Sequence, residues 1–428
     1  MTPQDIETTN KKELKTLFSN TVMLYIMQIS AYIFPLITFP WLTRALGPEK
    51  YGVINVANAI IVYFQLFVDF GFILSATRDC SLERNDKKKL GVIASSVVMA
   101  KLAISAVGFV CLLVLTGIVS NFRDKAVYLI LCYISVFLSV FIPDYLFRGL
   151  EKMSTLTYRS IISRAIYTIL VISFVKSAND YMMIPVFNAI SNLFIVVWSW
   201  VIVIKKFDIH FTLVPFKSVL EAFKKSSIFF ASRIATTVYS ASNVFILGQV
   251  MGTNSPAMGQ FTAANNLITN GRSMFSPIAD SLYPYMVTKK NYKLIKIILA
   301  VTAPLILFGT AILFVHADWF ILIFCGEGYE QAVPVFRAML PMIIITLPIY
   351  ILGFPTLGAM NMMKEANLTT IYAAVFHIIG LTVLFATDNL TFIFVALLTC
   401  LSECVVLTSR IYYVVKGIKR KKQVQCNI

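Results

Sequence analysis

YGVINVANAIIVYFQLFVD, Tyr51 to Asp69, is hydrophobic enough to cross a bilayer, yet Tyr51, Asn55, Asn58, Gln65 and Asp69, with Val62 between them, share one helical face. An amide facing lipid goes unsatisfied at a cost of several kcal/mol, so such a stripe must face protein or water. Further along the chain, MGQFTAAN, Met258 to Asn265, repeats the beginning of this stretch. Aligning Gly52 with Gly259 brings Ala57 over Ala264 and Asn58 over Asn265. A polar stripe inside an apolar run points to a membrane helix with an interior to line, and its echo points to a duplicated half.

Composition agrees with the membrane. Of 428 residues 58% are hydrophobic and 14% charged, where a soluble domain carries about 25% charge. Apolar runs of spanning length fall at roughly 17–42, 52–76, 90–119, 126–147, 156–176 and 181–204, then at roughly 227–250, 257–287, 295–316, 333–360, 367–387 and 390–415. The expected fold is therefore an all-α integral membrane protein of about twelve transmembrane helices, in two six-helix lobes related by a parallel repeat. The lobes are residues 1–205 and 226–428, the second ending in a basic cytoplasmic tail, with a linker at 206–225. In that linker Phe216, Val219, Leu220 and Phe223 share a face opposite Lys217, Glu221 and Lys224. An interfacial amphipathic helix and a solvated loop both fit this pattern.

The net charge of +16 raises the question of nucleic acid, and the placement of the basic residues answers it. Roughly 27 Lys and Arg, Arg159 and Arg164 among them, are assigned to one side of the membrane and about five to the other, a positive-inside bias that puts both termini in the cytoplasm. The basic balance is topology, and no nucleic-acid partner is expected. The polar N-terminal segment MTPQDIETTNKKELK has no small-residue cleavage site and is read as retained.

Seven scattered cysteines without a C-x-x-C pair, and three distant histidines, give no disulfide framework and no metal site. No phosphate-binding G-x-x-x-x-G-K-[ST], G-x-S-x-G elbow or H-E-x-x-H helix is present, so neither cofactor nor enzyme chemistry is expected.

Polar stripes recur at matching places. The first span offers Thr21, Tyr25, Gln28 and Tyr32, and the seventh Arg233, Thr237, Ser240 and Asn243; the eighth offers Thr262, Asn265, Asn266, Thr269, Arg272 and Asp280. Interhelical packing explains any one asparagine as well as a cavity does. Four stripes at corresponding positions favour a hydrophilic cleft between the lobes. Asp280 with Arg233, and Asp69 with Lys101, read as structural ion pairs. Arg272 lies near mid-depth with no acidic neighbour evident in the sequence, and its guanidinium fork suits phosphate oxygens. His377 and Glu403, in the last two spans, are candidates for ion coupling, with a neutral hydrogen-bonded pair as the alternative.

Three segments, PLITFPWLTRALGPEKYG (Pro35 to Gly52), DFGFILSATRD (Asp69 to Asp79) and PDYLFRGLEKM (Pro143 to Met153), resemble the polysaccharide flippases that move O-antigen and related repeat units. Their superfamily also holds multidrug extruders and lipid II flippases. The resemblance implies a bacterial inner-membrane protein moving undecaprenyl-pyrophosphate-linked oligosaccharide from the cytoplasmic to the periplasmic leaflet. It implies lobes around an alternately opening, often cationic cavity, and a polysaccharide polymerase and chain-length regulator as partners. Arg272 falls on the helix where the lipid II flippases place a cavity arginine, whereas the first helix has Gln28 and Tyr32 where theirs has arginines. Arg78 and Arg148 lie in the matching motifs near the cytoplasmic face, placed to fix topology and touch lipid phosphates. The rival expectation is an Na⁺- or H⁺-coupled multidrug extruder using Glu403 or Asp69; a membrane glycosyltransferase or polymerase comes third.

Overall fold

The computed structural model describes the backbone of residues 3–252 and 255–426, and their side chains except at 3–18, 21, 228, 229, 231–233, 235–241, 284, 287–289 and 420–426. The described residues form helices and connecting turns, with no strand among them. They divide into two compact units, Met1–Thr38 with Ala57–Ile234, and Phe39–Val56 with Ala235–Ile428.

The first unit takes in most of α1 (Pro3–Asp69), then α2 (Phe72–Leu82), α3 (Lys87–Ile118), α4 (Ser120–Arg123), α5 (Ala126–Ser139), α6 (Asp144–Gly149), α7 (Met153–Phe174) and α8 (Met183–Lys205). Asp86 starts α3 by accepting a hydrogen bond from the Lys89 amide at 3.1 Å, which satisfies one of the orphan donors of the first turn. Phe72, Leu90, Tyr145, Phe147, Leu156 and Val203 close its core. The linker joins this core, because α9 (Phe216–Met251) begins within it and runs unbroken into the seventh predicted span. Val219 is buried, and the Phe223 ring meets Phe70 edge-on at 5.5 Å. Phe216 and Leu220 remain exposed, so the predicted apolar face is divided between protein and surroundings.

The second unit contains α10 (Pro256–Ser273), α11 (Ser276–Lys289), α12 (Tyr292–Val315), α13 (Ala317–Cys325), α14 (Ala332–Met339), α15 (Pro341–Ile351), a π-helical turn at Leu352–Gly358, α16 (Met363–Ala386) and α17 (Phe392–Cys426). Residues Phe39–Val56 of α1 are built into it. Thr43 donates to the Phe324 carbonyl at 3.2 Å, Tyr329 donates to the Thr43 carbonyl at 3.2 Å, and Arg44 donates to the Ile323 carbonyl. Here the two echoing glycines meet. A Cβ on Gly52 would lie 2.7 Å from the Gly259 amide nitrogen, and one on Gly259 would run into the Pro48 carbonyl. Only two glycines allow the backbones this approach.

Eight helices among the described residues are long and apolar enough to cross a membrane. They differ from the predicted spans for local reasons. The first two predicted spans follow each other without a loop, and the helical backbone breaks between them at Gly47, whose φ of 66° and ψ of 173° suit glycine alone. The span predicted at 156–176 is α7, which holds Arg159 and Arg164 inside its apolar length. The one predicted at 257–287 breaks after Ser273, at Met274 and Phe275, with Pro277 in the first turn of α11. Hydrophobic side chains cover the outer faces: on α12 Leu305 is 69% exposed and Phe308 68%. Such faces need hydrocarbon as their solvent, and the chain is a multi-pass membrane protein.

Candidate functional site

The C-terminal unit has an open cavity of about 590 Å³. Its charged side chains, Asp280 of α11 among them, come from three helices. Arg272 ends α10, where the chain turns into α11, and Glu403 and Arg410 lie seven residues apart on one face of α17. Arg272 Nη2 meets Glu403 Oε1 at 2.6 Å, and its Nε donates to Thr346 Oγ1 at 2.8 Å. The Glu403 side chain is 6% exposed and that of Arg272 15%, so the pair is largely taken from solvent. Arg410 donates through Nε to Thr369 Oγ1 at 3.2 Å and through Nη1 to the Ile349 carbonyl. Apolar side chains, Phe354, Pro355, Met363 and Val406, line the same cavity among these charges.

The π-helical turn supplies part of this apolar lining. Pro348 and Pro355 each remove an amide donor from the ladder, and Gly353 at φ −68°, ψ −120° leaves helical geometry altogether. The Ile349 carbonyl, one turn before the break, is the acceptor that Arg410 occupies. Wide turns of this kind are frequent at functional sites.

The acidic neighbour that the sequence did not reveal for Arg272 is thus Glu403, and the cavity is charge-balanced rather than simply cationic. The sequence also passed over Arg410, although its seven-residue spacing from Glu403 marks a shared face. Asp280 lines the same cavity and is exposed, while Arg233, its expected partner, lies outside the described residues. His377 is held elsewhere in the unit. Its Nδ1 lies 2.9 Å from Ser402 Oγ and its Nε2 2.7 Å from Asn243 Oδ1, while Asn243 donates to Thr399 at 2.9 Å. These bonds join α9, α16 and α17 in a buried polar knot.

The asparagine stripes divide between two uses. Asn266 donates to Tyr51 Oη at 2.8 Å and to Asn55 Oδ1 at 3.0 Å, fastening α10 to the segment of α1 built into the same unit. Asn265 is half-buried and Asn58 exposed, with no hydrogen bond from either side chain to another described residue. For Asn266→Leu we expect a loss of about 1 kcal/mol, at most about 2, as for other interhelical bonds in membranes. Thermal unfolding in detergent measures it, and an unchanged midpoint would show the bonds to be idle.

In the N-terminal unit Asp69 Oδ1 and Lys101 Nζ pair at 3.4 Å, as the sequence led us to expect, beside Gln65, which donates to Ser139 at 3.0 Å. Gln28 donates to Tyr32 Oη at 2.8 Å; Tyr25 is half-buried. Arg78 is exposed, and Arg148 is half-buried with its Nε without a partner. Arg159 and Arg164, assigned to a cytoplasmic loop from the sequence, are helix-interior groups. Arg159 is buried against Asp144 and donates to Ser199 at 2.5 Å. Among the described residues no group of His, Cys, Asp and Glu is arranged to hold a metal ion.

Known proteins place this architecture. A "Putative O-antigen transporter" of Escherichia coli (strain K12) is 28% identical over 413 residues, covering 95% of this chain and 98% of that protein. One of Shigella dysenteriae with the same description is 27% identical over 280 residues, 64% of this chain and 68% of that protein. Two solved structures share the fold at a TM-score of 0.66. One is an inward-facing multidrug resistance MATE transporter of the MOP superfamily, at 14% identity over 95% of this chain and 99% of that one. The other is the lipid II flippase MurJ, at 13% identity over 94% of this chain and 89% of that one. The family model described as "Polysaccharide biosynthesis protein" matches residues 17–290, more than half of the sequence. The chain belongs to that polysaccharide biosynthesis protein family.

Proposed function

We propose that the protein is a flippase for lipid-linked oligosaccharide. It carries undecaprenyl-pyrophosphate-linked units of O-antigen or a related surface polysaccharide from the cytoplasmic to the periplasmic leaflet of a bacterial inner membrane, by alternating access. Its termini are cytoplasmic, and the units it delivers pass to a polymerase and a chain-length regulator. It makes and breaks no covalent bond.

The observation that carries this reading is the 590 Å³ cavity, lined by Arg272, Arg410, Glu403 and Asp280 together with apolar side chains such as Phe354, Pro355 and Val406. Sugars and pyrophosphate cannot cross hydrocarbon without hydrogen-bonding partners, whereas a prenyl chain needs none. A cavity with both kinds of lining accepts both parts of the cargo. Family membership and the names of the sequence relatives support the same cargo class.

The second reading, an ion-coupled multidrug extruder, draws on the carboxylates Glu403 and Asp69. Each lies within ion-pair distance of a cation, Arg272 and Lys101 respectively, and neither stands alone as a cation site. Gene deletion separates the readings. We expect loss of surface polysaccharide with lipid-linked units stranded in the inner leaflet. Drug hypersensitivity with intact surface polysaccharide would establish the extruder instead, and unlinked or unpolymerised sugar would point to an enzyme.

A further inference from the structure

The N-terminal unit has a second polar cavity, about 250 Å³, between α1, α7 and α8. Arg164 projects into it from within α7. Its Nη1 donates to Ser30 Oγ at 2.7 Å and to the Met27 carbonyl at 3.0 Å, which fixes the guanidinium, while Nε and Nη2 make no hydrogen bond to the described residues. No aspartate or glutamate lines the cavity. Arg159, five residues earlier on the same helix, shows the contrast, since Asp144 neutralises it.

The remaining walls offer further donors. Asn188, exposed, and Asn192, half-buried, stand one turn apart on α8, line the same space and bond to no described residue, which leaves their amides open to a ligand. At about 30 Å³ per water, 250 Å³ holds roughly eight waters, room for a solvated anion. A positive charge without a carboxylate repels cations, and a guanidinium edge flanked by side-chain amides is a donor array that oxyanions take.

We propose that this cavity binds an oxyanion, a phosphate or a sugar carboxylate, through Arg164 Nε and Nη2, with Asn188 and Asn192 as further partners. The anion comes either from the lipid-linked cargo, a source that rests on the flippase reading, or from a free anion exchanged during the cycle. The site itself stands on the geometry alone.

The test is titration of the purified full-length protein in nanodiscs with inorganic phosphate, glucuronate and, as a neutral control, galactose. Phosphate or glucuronate should bind and galactose should not, and Arg164→Gln should weaken anion binding at least tenfold, the usual scale for a lost charged hydrogen bond. Should Arg164→Gln fail to fold, Asn192→Leu leaves the Ser30 bond in place and should still weaken binding about threefold or more. Absence of anion binding to the wild-type protein, or equal binding to a folded variant, overturns the site. Surface polysaccharide in cells carrying Arg164→Gln identifies the source: its loss assigns the anion to the cargo, and its persistence alongside weakened phosphate binding assigns a free anion. Because the titration needs no transport, failure of the flippase reading would leave this result standing.

Discussion

Glu403→Ala lowers both the melting temperature and the yield of folded protein, because it leaves Arg272 buried beside Arg410 without the carboxylate that balances them. Removing one member of a buried pair costs about 3–5 kcal/mol in well-enclosed sites. Arg272 retains 15% side-chain exposure, which favours the lower end. The double variant Arg272→Ala/Glu403→Ala restores much of that stability, since no unpaired charge remains from the pair, and the coupling is read directly in a double-mutant cycle. Transport behaves differently. Arg272→Ala abolishes export of lipid-linked sugar even where the protein is present at wild-type level, and the double variant stays inactive. Full export by the double variant would remove Arg272 and Glu403 from the mechanism and leave them as structural partners.

Gly259→Val is the second large effect, and its origin is purely steric. A side chain at 259 meets the Pro48 carbonyl, a backbone atom that cannot swing aside as a side-chain tip can. Overpacking costs about 1–3 kcal/mol where side chains absorb the strain, and more where they cannot. We therefore expect Gly259→Val to abolish folded protein in membranes, judged by size-exclusion chromatography in mild detergent. Gly52→Ala, whose Cβ lies 2.7 Å from the Gly259 nitrogen, should destabilise less severely. Gly309→Ala is the control: nothing lies within 4 Å of its added Cβ, and alanine favours the helix by about 1 kcal/mol. A Gly259→Val protein with wild-type yield would mean that α1 and α10 are not pressed together there.

The helices were legible in the sequence because apolar length is a local property. Their breaks were less so. Gly47 breaks the helical backbone of α1, and Met274–Phe275 ends α10, in both places without a loop, since both depend on backbone dihedrals that hydropathy does not register. Positive-inside reasoning places Arg159 and Arg164 in a loop because it cannot tell a loop arginine from one with an aspartate or a serine waiting inside. Arg272 was legible as an unusual charge, but Glu403, its partner, comes 131 residues later, and pairing across such a distance is a property of the fold. The stripe residues Tyr51, Asn55 and Asn266 were legible as a set, whereas their use as a fastening between helices emerged only from their distances.

The wide turn at Leu352–Gly358 has a mechanical consequence. Gly353, at ψ −120°, breaks the winding between α15 and Gly358, so a change in that one dihedral would rotate α15 relative to Gly358. Such a rotation would pull the Ile349 carbonyl away from Arg410 and present different side chains to the space beneath. The helix thus holds, in a single misfit of winding, a way to change which chemistry it displays without moving its ends far.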